Sequence, residues 1–157
     1  LALDERLMNR QRRARERFQA GIRAVQSEGQ GLWNLWVIRP DDHLELLLRA
    51  VGGDAHARQL VDLTCQTLRQ VVDNRARDPA LCLLCEHRFT IENPAPAAIV
   101  ILAADFEVAG HAIANVICER CYSAEDLGQR IVAFYRRTVI PDARVVRVVQ
   151  VAEPGHA

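Results

Sequence analysis

The sequence predicts an α+β fold: N-terminal helices packed with a small C-terminal antiparallel sheet and a helix around a four-cysteine site. Three observations carry this. Apolar residues recur at helical spacing up to about residue 74. After Asp78-Pro79 the pattern changes to short β-branched runs. Two C-x2-C pairs then bracket those runs. The 157 residues are half apolar and a quarter charged, with 8 Gly and 6 Pro, which suits an ordinary globular chain and excludes disorder and collagen-like repeats. The expected division is a helical region, 1–78, and a metal-binding sheet-and-helix region, 79–157, joined in one compact unit.

Taken in order, residues 3–26 read as an amphipathic helix with Leu7, Ala14, Phe18, Ile22 and Val25 on one stripe. Arg6, Arg10, Arg13 and Arg17 form a second stripe about a quarter-turn away. Gly29 and Gly31 end the helix. Leu32–Ile38 is apolar throughout, so its type, strand or buried loop, stays open. A second helix is expected from Asp41 or Asp42, with Glu45 in capping-box spacing and Leu44, Leu47, Leu48 and Val51 as its buried face. Gly52-Gly53 stops it. Asp54 is placed to cap a third helix reaching Asn74, with Val61, Cys65, Leu68 and Val72 turned inward. Cys65 is thereby read as a small core hydrophobe.

Residues 88–92, 97–103 and 110–117 are expected as strands of an antiparallel meander, separated by Asn93-Pro94 and a turn at 105–109. Ser123 is placed as the N-cap of a further helix that turns Leu127, Ile131, Phe134 and Tyr135 inward, with Arg136 and Arg137 near its C-terminal end. Residues 144–151 read as a closing strand, and 153–157 as a frayed tail.

Charge excludes any strong global attraction to nucleic acid or membrane, because twenty basic residues balance twenty acidic ones. Residues 1–25 are locally basic, holding seven arginines against Asp4, Glu5 and Glu16. The longest apolar stretch, 95–104, contains Pro96 and is far short of the roughly 20 residues that span a bilayer. No secretory signal is read at the N-terminus, so the expected location is cytoplasmic, where cysteines stay reduced.

Cys82/Cys85 and Cys118/Cys121 are the chemistry-bearing motif. Two intervening residues let a tight turn present both sulfurs to one ion, and two such turns complete a closed tetrahedral shell, so a structural Zn2+ is expected on these four cysteines. His87 and His111 lie near enough in sequence to be considered as ligands, but four thiolates need neither.

The arrangement over residues 82–137 resembles the zinc-ribbon and treble-clef group of folds. In a treble clef the first knuckle precedes a β-hairpin and the second cysteine pair starts a helix, as CERC does before Ser123. HNH nucleases share that fold, and His111 and Asn115 look superficially similar to their catalytic positions; however, Tyr122 and Ser123 stand where that group places further metal-positioning residues. Thioredoxin-like proteins are similar in having a CxxC before a helix, but the βαβ pattern ahead of it is missing here. The leading expectation is a non-enzymatic, zinc-stabilised interaction or regulatory module, with a protein partner or self-association. The alternatives are nucleic-acid binding through Arg6, Arg10, Arg13 and Arg17, and CxxC thiol redox chemistry.

Overall fold

The computed structural model describes residues 5, 8, 9, 12, 13, 16, 32–93, 95–104 and 112–151. Over 32–151 the elements are β1 (Leu32–Ile38), α1 (Asp42–Val51), α2 (Ala55–Asn74), β2 (Ala98–Ala104), β3 (Ala112–Ile117), α3 (Glu119–Tyr122), α4 (Leu127–Thr138) and β4 (Val145–Gln150). The chain is therefore α+β, as its periodicities predict. Of the expected first helix, the six described residues are helical and exposed; the remainder lies outside the described residues.

The four strands form one mixed sheet in the order β3-β2-β1-β4. β1 pairs antiparallel with β2 and parallel with β4, while β2 pairs antiparallel with β3. The apolar run Leu32–Ile38 is thus an interior strand. Six of its seven residues are buried, which requires cover on both faces. The sheet departs from a simple antiparallel meander because β4 joins parallel to β1, and a parallel neighbour needs a long crossover. Residues 88–92 form no strand; Arg88 makes only an isolated bridge to Leu81.

Helices supply that cover. On one face α1 and α2 pack together, with Thr64 and Leu68 of α2 sharing a cavity with Ile38 and Ile99. On the other, Tyr135 of α4 is fully buried and its hydroxyl accepts a hydrogen bond from Asn115 Nδ2 at 2.8 Å. The register puts Asn115 beside Val100 and Val37, so these three share the α4 face. The interior of the sheet is accordingly a continuous core of Leu35, Ile38, Val100, Ile101, Leu102 and Ile117, closed by Ile131 and Tyr135.

Two helix termini follow the sequence expectation. The Asp54 carboxylate accepts from the Ala57 N–H at 3.1 Å and caps α2, and Gly53 ends α1 at φ 97°, a conformation that glycine adopts without strain. Others differ. Asp42 makes no capping box with Glu45, which pairs with Arg49 at 2.7 Å; its carboxylate instead accepts from the Arg39 N–H at 2.9 Å. That tether fixes the phase of α1, turning Asp42 and Leu46 inward and leaving the expected core residues Leu44, Leu47, Leu48 and Val51 exposed, Val51 by 86%. α2 is turned by less: of the residues expected inward, Val61 is buried and Leu68 packs half-buried on the core, with Ala57, Leu60, Thr64 and Val71 also buried, whereas Cys65 and Val72 are exposed. Ser123 is not an N-cap: it closes α3 as its C-cap, its N–H donating to the Glu119 carbonyl at 3.0 Å, and Asp126 precedes α4 instead. In α4, Leu127, Ile131 and Tyr135 are buried as expected, and Phe134 only partly.

Among the described residues no helix is long and apolar enough to cross a membrane. The phase of α1 is open to test. Leu46→Ala should cost about 3 kcal/mol and Leu48→Ala no more than about 0.5 kcal/mol in urea unfolding, since only Leu46 leaves a cavity. Equal losses would mean that the helix is turned the other way.

Candidate metal centre

The four sulfurs of Cys82, Cys85, Cys118 and Cys121 lie within 4.8 Å of one another. The fold assembles them at the open edge of β3. Leu83 N–H donates to the Val116 carbonyl at 2.9 Å, and Cys82 forms a parallel bridge with Val116, so the first knuckle is laid along the outer side of that strand. Within the knuckle, Cys82 N–H donates to the His87 carbonyl at 2.7 Å and Glu86 N–H to the Cys82 carbonyl at 3.0 Å. The reversal that closes this loop puts Glu86 at φ 62°, a left-handed conformation that costs a non-glycine residue about 1–2 kcal/mol. The second pair needs no separate loop. Cys118 follows β3 directly as the N-cap of α3, and Cys121 lies within that single turn of helix.

A tetrahedral zinc with Zn–S bonds of about 2.3 Å separates its sulfurs by about 3.8 Å. The spread of this cluster, including 3.5 Å between the Cys85 and Cys118 sulfurs, fits that shell. Four soft donors with no carboxylate or histidine among them suit Zn2+ or another thiophilic metal. Such a shell leaves no coordination position for a substrate.

Cys82, Cys118 and Cys121 are buried, whereas Cys85 is exposed, so the centre meets solvent on one side. Without metal the thiols differ sharply. Burial pushes Cys82 up, but hydrogen bonds from the backbone at Cys118, Cys85 and Leu84 outweigh it and bring the thiol down to about 7; the Cys118 N–H lies 3.4 Å from its sulfur. Burial raises Cys118. Burial and the neighbouring Cys85 and Cys118 thiols push Cys121 up to about 12.

His87 is not part of the cluster. Its Nε2 lies 2.8 Å from Asn93 Nδ2, and its ring meets Phe89 edge-on at 5.7 Å. His111 lies outside the described residues, as do Arg6, Arg10 and Arg17; Arg13 is helical and exposed. Glu86 was not legible as part of the site, since a left-handed position is signalled by glycine or asparagine and this one carries neither. The backbone donors to sulfur leave no mark in side-chain identity at all.

No family model, no curated protein and no solved structure matches this chain.

Metal uptake should release protons, because Cys118 and Cys121 are protonated at neutral pH and must bind as thiolates. Calorimetry of Zn2+ binding near pH 7 in buffers of different ionisation enthalpy should give at least two protons released. Affinity should fall as pH is lowered, since protons compete for the sulfurs. Proton-neutral binding would show that the metal sits elsewhere.

Proposed function

We propose that this protein is a non-enzymatic module whose C-terminal half is held together by a structural Zn2+ on Cys82, Cys85, Cys118 and Cys121, and that it acts by association with another protein chain. The observation that carries the reading is the convergence of four sulfurs, from two segments more than thirty residues apart, into a space that one tetrahedral ion would fill. The order of knuckle, antiparallel β2–β3 hairpin and helix start at Cys118 supports a treble-clef arrangement over a ribbon.

The burial of three of the four thiols, with only Cys85 exposed, argues against thiol redox chemistry. A redox nucleophile needs a thiolate that its substrate can reach. Here the thiol with the lowered pKa, Cys82, is only 1% exposed, and burial raises Cys118 and Cys121. Association is favoured by the outward stripe Leu44, Leu47, Leu48 and Val51 on α1, since an exposed contiguous apolar patch commonly marks an interaction surface. Binding of nucleic acid would rest on the arginine stripe of residues 6–17 alone, in a chain without net charge.

Mass spectrometry of the purified protein under native and denaturing conditions tests the centre. One zinc per chain, with four thiols protected until denaturation, is the expected result. Removing it with a strong chelator should unfold the region 82–137, because metal binding of this kind contributes on the order of 10 kcal/mol to folding. Circular dichroism unchanged after proven metal loss would defeat the reading.

A further inference from the structure

The two edges of the sheet are treated differently. The outer side of β3 is taken by the first knuckle through Leu83 and Cys82. β4 stands at the other end of the order β3-β2-β1-β4, and among the described residues no backbone hydrogen bond reaches its outer side. An edge strand of this kind presents a row of unpaired N–H and C=O groups to any extended chain. Proteins commonly blunt such an edge with a bulge, a proline or a very short strand. β4 has none of these: it keeps an unbroken six-residue register with β1 and contains no proline. Val145 is 50% exposed and Arg147 is exposed as well, so the edge meets solvent.

Side chains decide what that edge can accept. Arg136 and Arg137 lie in the last turn of α4, and Arg136 Nη1 donates to the Ala143 carbonyl at 2.8 Å just ahead of the strand. Arg144 precedes β4 and Arg147 lies within it, both exposed. The ion pairs among the described residues engage none of Arg136, Arg137 and Arg144. From the end of α4 to the end of β4 the only acidic residue is Asp142. α4 brings Arg136 to one face of the sheet, and the register sets Arg147 beside Asn34 on the α1/α2 face, so basic groups flank the edge on both sides. A second copy of this chain is a poor occupant. Twofold pairing of β4 with itself would bring the two Arg147 side chains together at its centre, and like charges across a strand pair destabilise it. A basic segment is opposed in the same way, and an acidic one is attracted.

We propose that the outer edge of β4 is a docking site for an extended, acidic segment of another protein, which adds to the four-stranded sheet as a further strand and sets its carboxylates against Arg136, Arg144 and Arg147. Main-chain hydrogen bonds supply the affinity of such an addition, and the arginines supply its selectivity. The proposal rests on the reading of the protein as an association module, for which it names a surface and a partner chemistry, and not on the metal centre.

The test is titration of the full-length 15N-labelled protein with a capped peptide of about six residues in which glutamate alternates with valine. Its lysine–valine counterpart and its fully N-methylated form are the controls. NMR should show saturable shifts at the amides of Val145–Gln150, and the β4 amides that face away from β1 should exchange at least about ten-fold more slowly in the complex. Both control peptides should bind at least about ten-fold more weakly, and the affinity of the acidic peptide should fall as salt is raised. Arg144→Glu, a change at an exposed position outside every helix and strand, should weaken binding about five-fold and leave the thermal midpoint unchanged. Equal binding of the lysine peptide, binding without slowed β4 amides, or an unaltered affinity in Arg144→Glu would overturn the proposal. Absence of binding would also overturn it, and would leave the arginines as guards of the edge alone. Shifts confined to α1 would overturn it while leaving the association reading in place. A dimer in light scattering, with the outward β4 amides already slow in the free protein, would put a second copy on the edge instead.

Discussion

The pairing of β1 with β2 is the constraint from which the rest of the molecule follows. These two strands are interior to the sheet, and Ile99, Val100, Ile101, Leu102 and Ala103 are each no more than 3% exposed. A strand with apolar side chains on both sides is stable only between two covering layers. α1 and α2 form one layer and α4 the other, and β4 can then reach β1 in parallel only at the end of a crossover through everything between. The hydrogen bond between Asn115 and Tyr135 lies within this arrangement. Its place is understandable, since a phenol buried between helix and sheet needs a partner for its oxygen.

Covering the faces leaves the edges. β3 is an edge strand, and an edge with free N–H and C=O groups invites pairing with other chains. In this protein the first knuckle takes that position, with Leu83 and Cys82 attached to Val116. The cysteine cluster is thus also the device that closes one side of the sheet, and the site and the fold share their hydrogen bonds. A zinc ion there would tie the loop at 82–88 to the junction where β3 runs into α3.

Much of this was legible in the residues, and what was not has identifiable causes. The C-x2-C spacing located the cluster, Asp54 and Gly53 located helix ends, and β-branched runs located β2, β3 and β4. The type of β1 was unreadable because burial on both faces removes the alternation by which a strand is recognised. The faces of α1 and α2 were misassigned for a related reason. In α1 the larger apolar stripe, Leu44 to Val51, is not the buried one, because the Asp42 tether to Arg39 and a single leucine, Leu46, set the rotation. In α2, Val61 belongs to both the expected and the observed faces, and a hydrophobicity reading prefers Cys65 to Thr64 where the structure buries Thr64. Periodicity measures where apolar residues cluster. It does not measure which side of the helix the tertiary tethers turn inward.

The energetics of the cluster argue that the metal-free arrangement is poised rather than comfortable. Four thiols packed within 4.8 Å, three of them buried, must either stay protonated, forgoing the hydrogen bonds that a thiolate would accept, or ionise beside one another at rising electrostatic cost. Cys82 goes one way and Cys121 the other, the first down to about 7 because backbone N–H groups favour its anion, the second up to about 12 because burial and neighbouring sulfurs oppose it. A divalent cation removes the conflict, since it compensates the charge that otherwise prevents the second and later thiols from ionising. The left-handed Glu86 points the same way. A strained residue in a loop that closes on two cysteines persists only where the surroundings over-determine its conformation, and a metal held by Cys82 and Cys85 would add to the backbone hydrogen bonds that fix the knuckle.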